Sequence, residues 1–210
     1  MKQAYLNRKP ISPLKVMFSP FFAYDEIKYN AKGAVWQIPF LLLLLFFARV
    51  SNSVLSGFLF NANKIEDINV LYELMIIIIV YFAFVVSNWA FCALTDGEGS
   101  FIEIAAVSAF ATLPYTAGCF ITTFLTNVFV LDEASFLGIV NLIFVLWSVI
   151  ILIIGLKTAH QFAMKMNLFS LLITVAFMLL IAFLAVIVFS IAQQFLIFIN
   201  NIYNEIIFML

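Results

Sequence analysis

The sequence predicts an all-α protein, a polytopic membrane bundle of five transmembrane helices with amphipathic N-terminal and C-terminal helices. Two observations carry this prediction. Of the 210 residues, 66% are hydrophobic and 10% are charged, which is more apolar surface than one soluble core of this size can bury. The apolar residues are also grouped into runs long enough to cross a hydrocarbon layer of about 30 Å. The net charge of -1 provides no basic field, so nucleic-acid binding is excluded.

Residues 1–33 are predicted to form a cytoplasmic tail that contains an interfacial helix. The tail holds six of the ten basic residues. Ser19 followed by Pro20 is typical of a helix start, with serine as the N-cap and proline at the first helical position. Aromatic and charged residues are interleaved from Phe21 to Lys28, which favours a helix lying in the headgroup layer. Docking of this helix on a cytoplasmic partner is the alternative.

The first span is predicted from about residue 34 to residue 58. Arg49 follows the interfacial Trp36 by thirteen residues, or about 20 Å along a helix, where a charge facing lipid is costly. A polar stripe continues on the same helix face: Asn52, Ser53 and Ser56. We expect this stripe to face protein. Two interpretations remain open, pairing of Arg49 with Glu73 near the outer interface, or contact of Arg49 with another subunit or a solute.

The second span is predicted over about residues 70–94. Asn88, near its inner end, is expected to hydrogen-bond to a neighbouring helix, and the adjacent Trp89 is typical of a membrane interface. Cys92 and Cys119 are predicted to lie at different depths, which disfavours a disulfide between them. We expect them to be buried thiols.

The central turn, between the second and third spans, combines conformational freedom with charge. Two glycines permit a tight reversal and two acids keep it in water: Gly97, Gly99, Asp96 and Glu98. Ser100 and Glu103 have the spacing of a capping box, so the third span should start there and run to about residue 129. Pro114 removes a backbone donor and should kink this span.

The third span also carries small polar residues every three to four positions, which suits close helix packing: Ser108, Thr112, Thr116, Thr123 and Asn127. A short outer loop over residues 131–134 precedes a fourth span, predicted over about residues 135–156. The inner loop that follows is predicted to contain Lys157, His160 and Lys165, with His160 as an ordinary loop residue.

The last apolar stretch, residues 168–210, is longer than a bilayer requires, since one helix over it would measure about 60 Å. We therefore predict that the fifth span ends at about Ala192. Residues 193–210 are predicted to form an amphipathic extracytoplasmic helix that either lies on the outer surface or stands against a partner. Its polar face includes Gln193, Gln194, Asn201 and Glu205.

The distribution of basic residues predicts the orientation. Eight of the ten lie in segments expected inside, Lys64 lies in an outer loop and Arg49 lies within a span. Because lysine and arginine accumulate in cytoplasmic segments, the N-terminus should be cytoplasmic and the C-terminus extracytoplasmic.

Six sequence elements, spread over most of the chain, point in one direction. They are Pro-Phe-Phe-x-Tyr-x-x-Ile over 20–27, Asn88-Trp89, the turn over 96–101, Phe-Ala-Thr-Leu-Pro over 110–114, Trp147 with Gly155, and Ile-Tyr-x-Glu-Ile over 202–206. Together they resemble the Yip family of Ypt-interacting membrane proteins, and more closely its bacterial branch. The turn followed by the proline helix is the most specific combination.

The resemblance implies a five-helix, non-enzymatic membrane domain over residues 34–192. Eukaryotic members bind prenylated small GTPases and shape vesicle membranes, but their Asp-Leu-Tyr-Gly-Pro element is absent upstream of the first span here, which argues against GTPase binding. Bacterial members are similar to accessory partners of ABC-type transporters, including sugar importers. The resemblance therefore implies an accessory subunit of the cell membrane, in contact with lipid and with permease subunits.

We expect no enzymatic activity and no cofactor. An intramembrane hydrolase needs a nucleophile with a base, or paired acids with a histidine metal set, and the spans lack these groups; an ATP-binding phosphate loop is also absent. The alternative function is a small-molecule transporter or channel that uses Arg49 and the polar stripes as a path. The candidate partner-contact residues are Arg49, Asn52, Ser53, Ser56, Asp96, Glu98, Gln193, Gln194, Asn201 and Glu205.

Overall fold

The computed structural model describes residues 10–29, 34–61, 68–95 and 97–209, which contain helices and no strand. Two short N-terminal helices, α1 (Pro13–Phe18) and α2 (Pro20–Tyr29), precede the spans. The spans are formed by α3 (Gln37–Leu55), α4 (Val70–Leu94), α5 (Phe101–Ala111) with α6 (Leu113–Thr126), α7 (Ala134–His160) and α8 (Met164–Met209). Several charged residues of the predicted loops and tail lie outside the described residues: Lys2, Arg8, Lys9, Lys32, Lys64, Glu66, Asp67 and Asp96.

The prediction of five spans is confirmed, because five helical segments of the described chain are long and apolar enough to cross a membrane. The second span has the predicted bounds, Val70–Leu94. The first ends earlier than predicted, at Leu55, since the chain leaves the helix to bring Gly57 against the backbone of Thr126. A Cβ on Gly57 would overlap the Thr126 carbonyl, and the Gly57 N–H donates to Thr126 Oγ1 over 3.0 Å.

The third span is the centre of the bundle. In its most apolar 18-residue window 72% of the residues are buried, against 6–17% in the other four spans. Alanine dominates its buried face, so neighbouring helices can approach closely: Ala105, Ala106, Ala109 and Ala111. The predicted capping box begins this span, with Glu103 N donating to Ser100 Oγ over 3.3 Å and Ser100 N donating to Glu103 Oε2 over 3.2 Å.

The third span is interrupted beside Pro114, where a kink was predicted. The helix stops at Ala111, and α6 begins at Leu113 with the proline in its first turn. At a helix start the backbone N–H groups lack an intrahelical acceptor. The N–H of Tyr115 donates to Ser148 Oγ of α7 over 2.8 Å, so the break is matched by a polar group on the neighbouring span.

The N-terminal helix α2 packs on the bundle through one face. The prediction was only that this helix lies in the headgroup layer. Its Tyr24 and Ile27 are buried, while Phe21 and Phe22 are exposed. Tyr24 OH donates to the Val107 carbonyl over 3.4 Å, and burial raises the pKa of the Tyr24 hydroxyl well above its usual range. The tail helix is therefore part of the folded core.

The predicted inner loop after the fourth span is wrong for all three of its residues, since Lys165 is already helical in α8. The helix α7 continues to His160, so Lys157 and His160 are helical, and the connection is only residues 161–163. Gln161 ends the helix in a left-handed conformation, with φ of 58°, which is a common C-terminal arrangement. The extension has a physical reason, because it carries the His160 ring into a buried hydrogen bond.

There is no helix boundary at residue 192. The helix α8 is continuous over 46 residues, Met164–Met209, and contains neither glycine nor proline, the residues that most often end a helix. Its first half packs on α4, through Asn88 and Phe91. Every described side chain from Ala182 to Glu205 is exposed, so the second half leaves the bundle.

Replacing Gly155 by alanine should destabilise the fold by about 1–3 kcal/mol through overpacking. A Cβ at Gly155 would lie 2.5 Å from Val107 Cγ1 and 2.8 Å from Tyr24 Cζ, so α2 has to shift. Gly138 is the matched control on the same helix, because a Cβ there meets no atom within 4 Å. Thermal unfolding in detergent should show a lower melting temperature for Gly155→Ala only. Equal melting of the two variants would contradict the packing of Tyr24 on α7.

Candidate functional site

Arg49 is held in a polar cluster between three spans. Its Nη2 forms an ion pair with Glu73 Oε2 of α4 at 3.2 Å, and its Nε donates to the same oxygen over 3.3 Å. Its Nη1 donates to Tyr115 OH of α6 over 3.1 Å. The Arg49 side chain is 40% exposed and that of Glu73 19%. Arg49 is thus paired with Glu73, as one of its two interpretations predicted.

The Arg49 cluster lines one end of a cleft of about 470 Å³ between the spans, a volume within the range of small-molecule sites. The other walls are mainly hydrocarbon: Leu45, Ile77, Val80, Phe84, Leu152 and Met178. The cleft therefore offers hydrogen-bond donors at one end and apolar contact elsewhere. In the part of the chain that the structure describes, no group of three histidine, cysteine, aspartate or glutamate side chains could hold a metal ion.

The polar stripe that follows Arg49 faces α6. Asn52 Nδ2 donates to Thr123 Oγ1 over 3.0 Å, and Ser56 Oγ donates to the Asn52 carbonyl. The Ser53 carbonyl accepts from Asn61 Nδ2 over 3.0 Å. The side chains of Asn52 and Ser56 thus form hydrogen bonds within the chain, and Ser53 does so through its backbone carbonyl.

The two turn glycines are required for close approach. No described glycine has positive φ. A Cβ on Gly99 would lie 2.5 Å from His160 Nδ1, and one on Gly97 would lie 3.0 Å from Cys92 Cβ. Glu98 forms an ion pair with Lys28 of α2 at 3.1 Å and stays 67% exposed, whereas Asp96 lies outside the described residues. The turn therefore joins α2 to the ends of α4 and α7.

A buried polar network that the sequence did not reveal lies beneath this turn. His160 Nε2 is 2.9 Å from Asn88 Oδ1, and Asn88 Nδ2 donates to Thr174 Oγ1 over 2.9 Å. Since the amide oxygen only accepts, His160 Nε2 is assigned as the donor. The position of Asn88 in an apolar run predicted a hydrogen bond to a neighbouring helix. Nothing in the sequence indicated that His160 would be one of its partners.

The remaining residues that the sequence singled out lie apart from this network. Trp89 is 43% exposed and packs edge to face on Phe101 with ring centroids 6.0 Å apart. The two cysteines are free and buried. The polar residues of the outer half of α8 are all exposed: Gln193, Gln194, Asn201 and Glu205. The predicted contact residues thus form three separate groups, at Arg49, at the central turn and on α8.

Breaking the Arg49–Glu73 pair should destabilise the bundle more than removing both charges. Arg49→Met leaves the Glu73 carboxylate without its partner in an apolar setting, and we expect a loss of about 1–3 kcal/mol. The double variant with Glu73→Leu should recover most of that loss. Thermal unfolding in detergent measures both.

The exposed Lys15–Glu26 pair, at 2.7 Å, is the matched control for this cycle, because a surface pair contributes at most about 1 kcal/mol. If the double variant loses the sum of the two single losses, Arg49 and Glu73 are not energetically coupled.

One comparison with known proteins finds a match. The family profile described as Yip1 domain matches residues 14–198, from α1 through all five spans into the outer half of α8. No curated protein and no solved structure matches the chain.

Proposed function

The chain is a multi-span membrane protein that belongs to the Yip1 domain family, and on this premise we propose that it is a non-enzymatic accessory or scaffold subunit of a membrane complex. The observation that carries the proposal is the helix α8. With 46 residues it measures about 69 Å, roughly twice the hydrocarbon thickness of about 30 Å. The bilayer can therefore cover only about half of this helix, and we infer that a second molecule contacts its outer half.

The composition of the outer half favours a protein partner. The large apolar side chains Phe195, Ile199 and Ile202 are 61%, 47% and 40% exposed, and polar residues such as Gln194 and Asn201 alternate with them along the helix. An amphipathic helix of this kind binds by laying its apolar face into a groove of a partner. Because the helix continues straight from a membrane span, its partner should be a membrane protein.

The partner that we propose is a permease subunit of an ABC-type transporter, including the sugar importers. This assignment rests on the resemblance of the sequence to bacterial Yip relatives. The chain would act by contact and would carry no cofactor. The proposal includes neither small-GTPase binding nor nucleic-acid binding.

The transporter or channel alternative has less support. The side chains that a polar path would need bond one another, Arg49 to Glu73 and Asn52 to Thr123. The hydroxyls of Thr116 and Ser108 likewise donate to carbonyls of their own helices. These contacts favour a role for the stripes in helix packing.

We also propose that the protein lies in the cell membrane with its N-terminal helices in the cytoplasm. Lys28 pairs with Glu98 at the same end of the bundle where α7 meets α8, and Lys157 and Lys165 lie at that junction. The excess of basic residues at one end supports a cytoplasmic location for it. The far end of α8 is then extracytoplasmic.

Cysteines introduced at Ser12 and Asn204, both exposed, test this orientation. In intact cells a membrane-impermeant maleimide should label Asn204→Cys and leave Ser12→Cys unlabelled until the cells are opened. The native cysteines are buried, so the background should be low. Labelling of both positions in intact cells, or of Ser12→Cys alone, would overturn the orientation.

Deleting residues 193–210 tests the accessory role. The tagged full chain, purified from native membranes in mild detergent, should bring down an ABC-type permease subunit, and the deletion should reduce its recovery by about tenfold, equivalent to about 1.4 kcal/mol. The melting temperature should not change, because the described side chains of this segment are exposed.

Photocrosslinking tests the contact itself. The crosslinking residue replaces Gln194, and the same residue at the lipid-facing Leu179 is the control. The permease should crosslink from position 194 only. Equal recovery of the permease with and without the tail, or its absence from both preparations, would contradict the proposal.

A further inference from the structure

We propose that the cleft beside Arg49 binds one glycerophospholipid from the leaflet that contains the Val70 end of α4. One acyl chain fills the apolar part of the cleft, and an ester or phosphate oxygen accepts a hydrogen bond from Arg49. This inference does not depend on the identity of the protein partner.

The cleft is polar near the membrane boundary and apolar toward the middle of the bilayer, as a phospholipid is. Glu73 is three residues from the start of α4, and Arg49 is six residues from the end of α3, so both lie within about 5–9 Å of the helix ends at one membrane boundary. The apolar lining continues inward to Phe84, eleven residues or about 16 Å from Glu73. That distance is about half the hydrocarbon thickness, which matches one acyl chain.

Arg49 retains hydrogen-bonding capacity at the polar end of the cleft. Among the described residues its Nη1 makes one hydrogen bond, to Tyr115 OH, although Nη1 carries two N–H groups. The side chain is 40% exposed and lines the cleft. An unsatisfied charged donor in a hydrocarbon layer is costly. Glu73 already neutralises the charge of Arg49. The remaining N–H group therefore needs an acceptor oxygen, and this oxygen does not have to carry a negative charge.

The other polar groups that line the cleft are already engaged. Ser108 Oγ donates to the Ile104 carbonyl over 2.7 Å, and Thr112 Oγ1 donates to the Ala109 carbonyl over 2.8 Å. Ser148 Oγ accepts from the Tyr115 N–H over 2.8 Å. Among the described residues of the lining, the charged donor is thus confined to the Arg49 end, as a bound lipid with one polar end requires.

A second cleft provides an internal comparison. It measures about 520 Å³ and shares Tyr81 with the first cleft. Its other lining residues include Ile38, Leu43 and Phe82. The lining of this cleft includes the polar side chain of Tyr81, whose hydroxyl donates to the Ala105 carbonyl over 2.7 Å. Among the described residues no charged side chain lines this cleft, so lipid there should exchange with the bulk bilayer.

Photolabelling of the full chain in phosphatidylcholine nanodiscs tests the proposal. The probe is a phosphatidylcholine with a diazirine in the middle of one acyl chain, and labelled residues are identified by mass spectrometry. We expect labelling at Ile76 and Leu152, in the Arg49 cleft, to exceed labelling at Leu43 and Phe82, in the second cleft, by at least about fivefold. Equal labelling of the two clefts would overturn the proposal.

Two neighbouring substitutions on α4 separate the cleft from the general lipid surface. Val80→Trp places a large ring in the cleft, and Ile79→Trp places the same ring on the lipid-facing side; the native side chains are 52% and 64% exposed. Labelling at Leu152 should fall at least about fivefold in Val80→Trp and stay unchanged in Ile79→Trp. The same labelling in both variants would show that the cleft holds no specific lipid.

The double variant Arg49→Met, Glu73→Leu tests the polar end, and it remains informative if Val80→Trp fails to fold. Removing the guanidinium should lower labelling at Leu152 about tenfold, the change expected for one hydrogen bond to a charged group, with labelling of the second cleft unchanged. Retained labelling at Leu152 would leave Arg49 without a role in lipid binding and would overturn the assignment.

Discussion

Every backbone amide in a membrane span must find its acceptor inside the protein, because hydrocarbon offers none. This constraint is most demanding in the central span, where Pro114 interrupts the helix. The break is tolerated because Ser148, on the neighbouring span, accepts the hydrogen bond of the Tyr115 N–H. Tyr115 is thereby held where its hydroxyl meets Arg49. The helix break, the contact between α6 and α7, and the polar cluster are thus consequences of one requirement.

Close packing around the central span explains how a tail helix becomes part of the core. Gly155 leaves room for the Tyr24 ring, and Gly99 leaves room for the His160 ring. Both contacts lie at the end of the bundle that we place in the cytoplasm, together with the Lys28–Glu98 pair. The opposite end holds the Arg49 cluster and the cleft. The bundle therefore has two chemically different ends, one closed by packing and one with an open cleft.

The helix α8 carries the surface that we propose binds the partner. Its first half is fastened to α4 by the Asn88–Thr174 hydrogen bond, and its second half is exposed. Lipid binding at Arg49 and partner binding on α8 are accordingly separate proposals, carried by different parts of the molecule.

Local chemistry within the sequence determined the five spans, the capping box of Ser100 and the break at Pro114, because each depends on neighbouring residues or on the apolar length of one segment. The tertiary structure decided the pairing of Arg49 with Glu73, the burial of His160 against Asn88 and the close approach at Gly99, since these join residues that are far apart in the chain. The continuity of α8 was missed for a related reason. Bilayer thickness limits how much of a helix lipid can cover, and the length of the helix itself is limited only by its own residues and contacts.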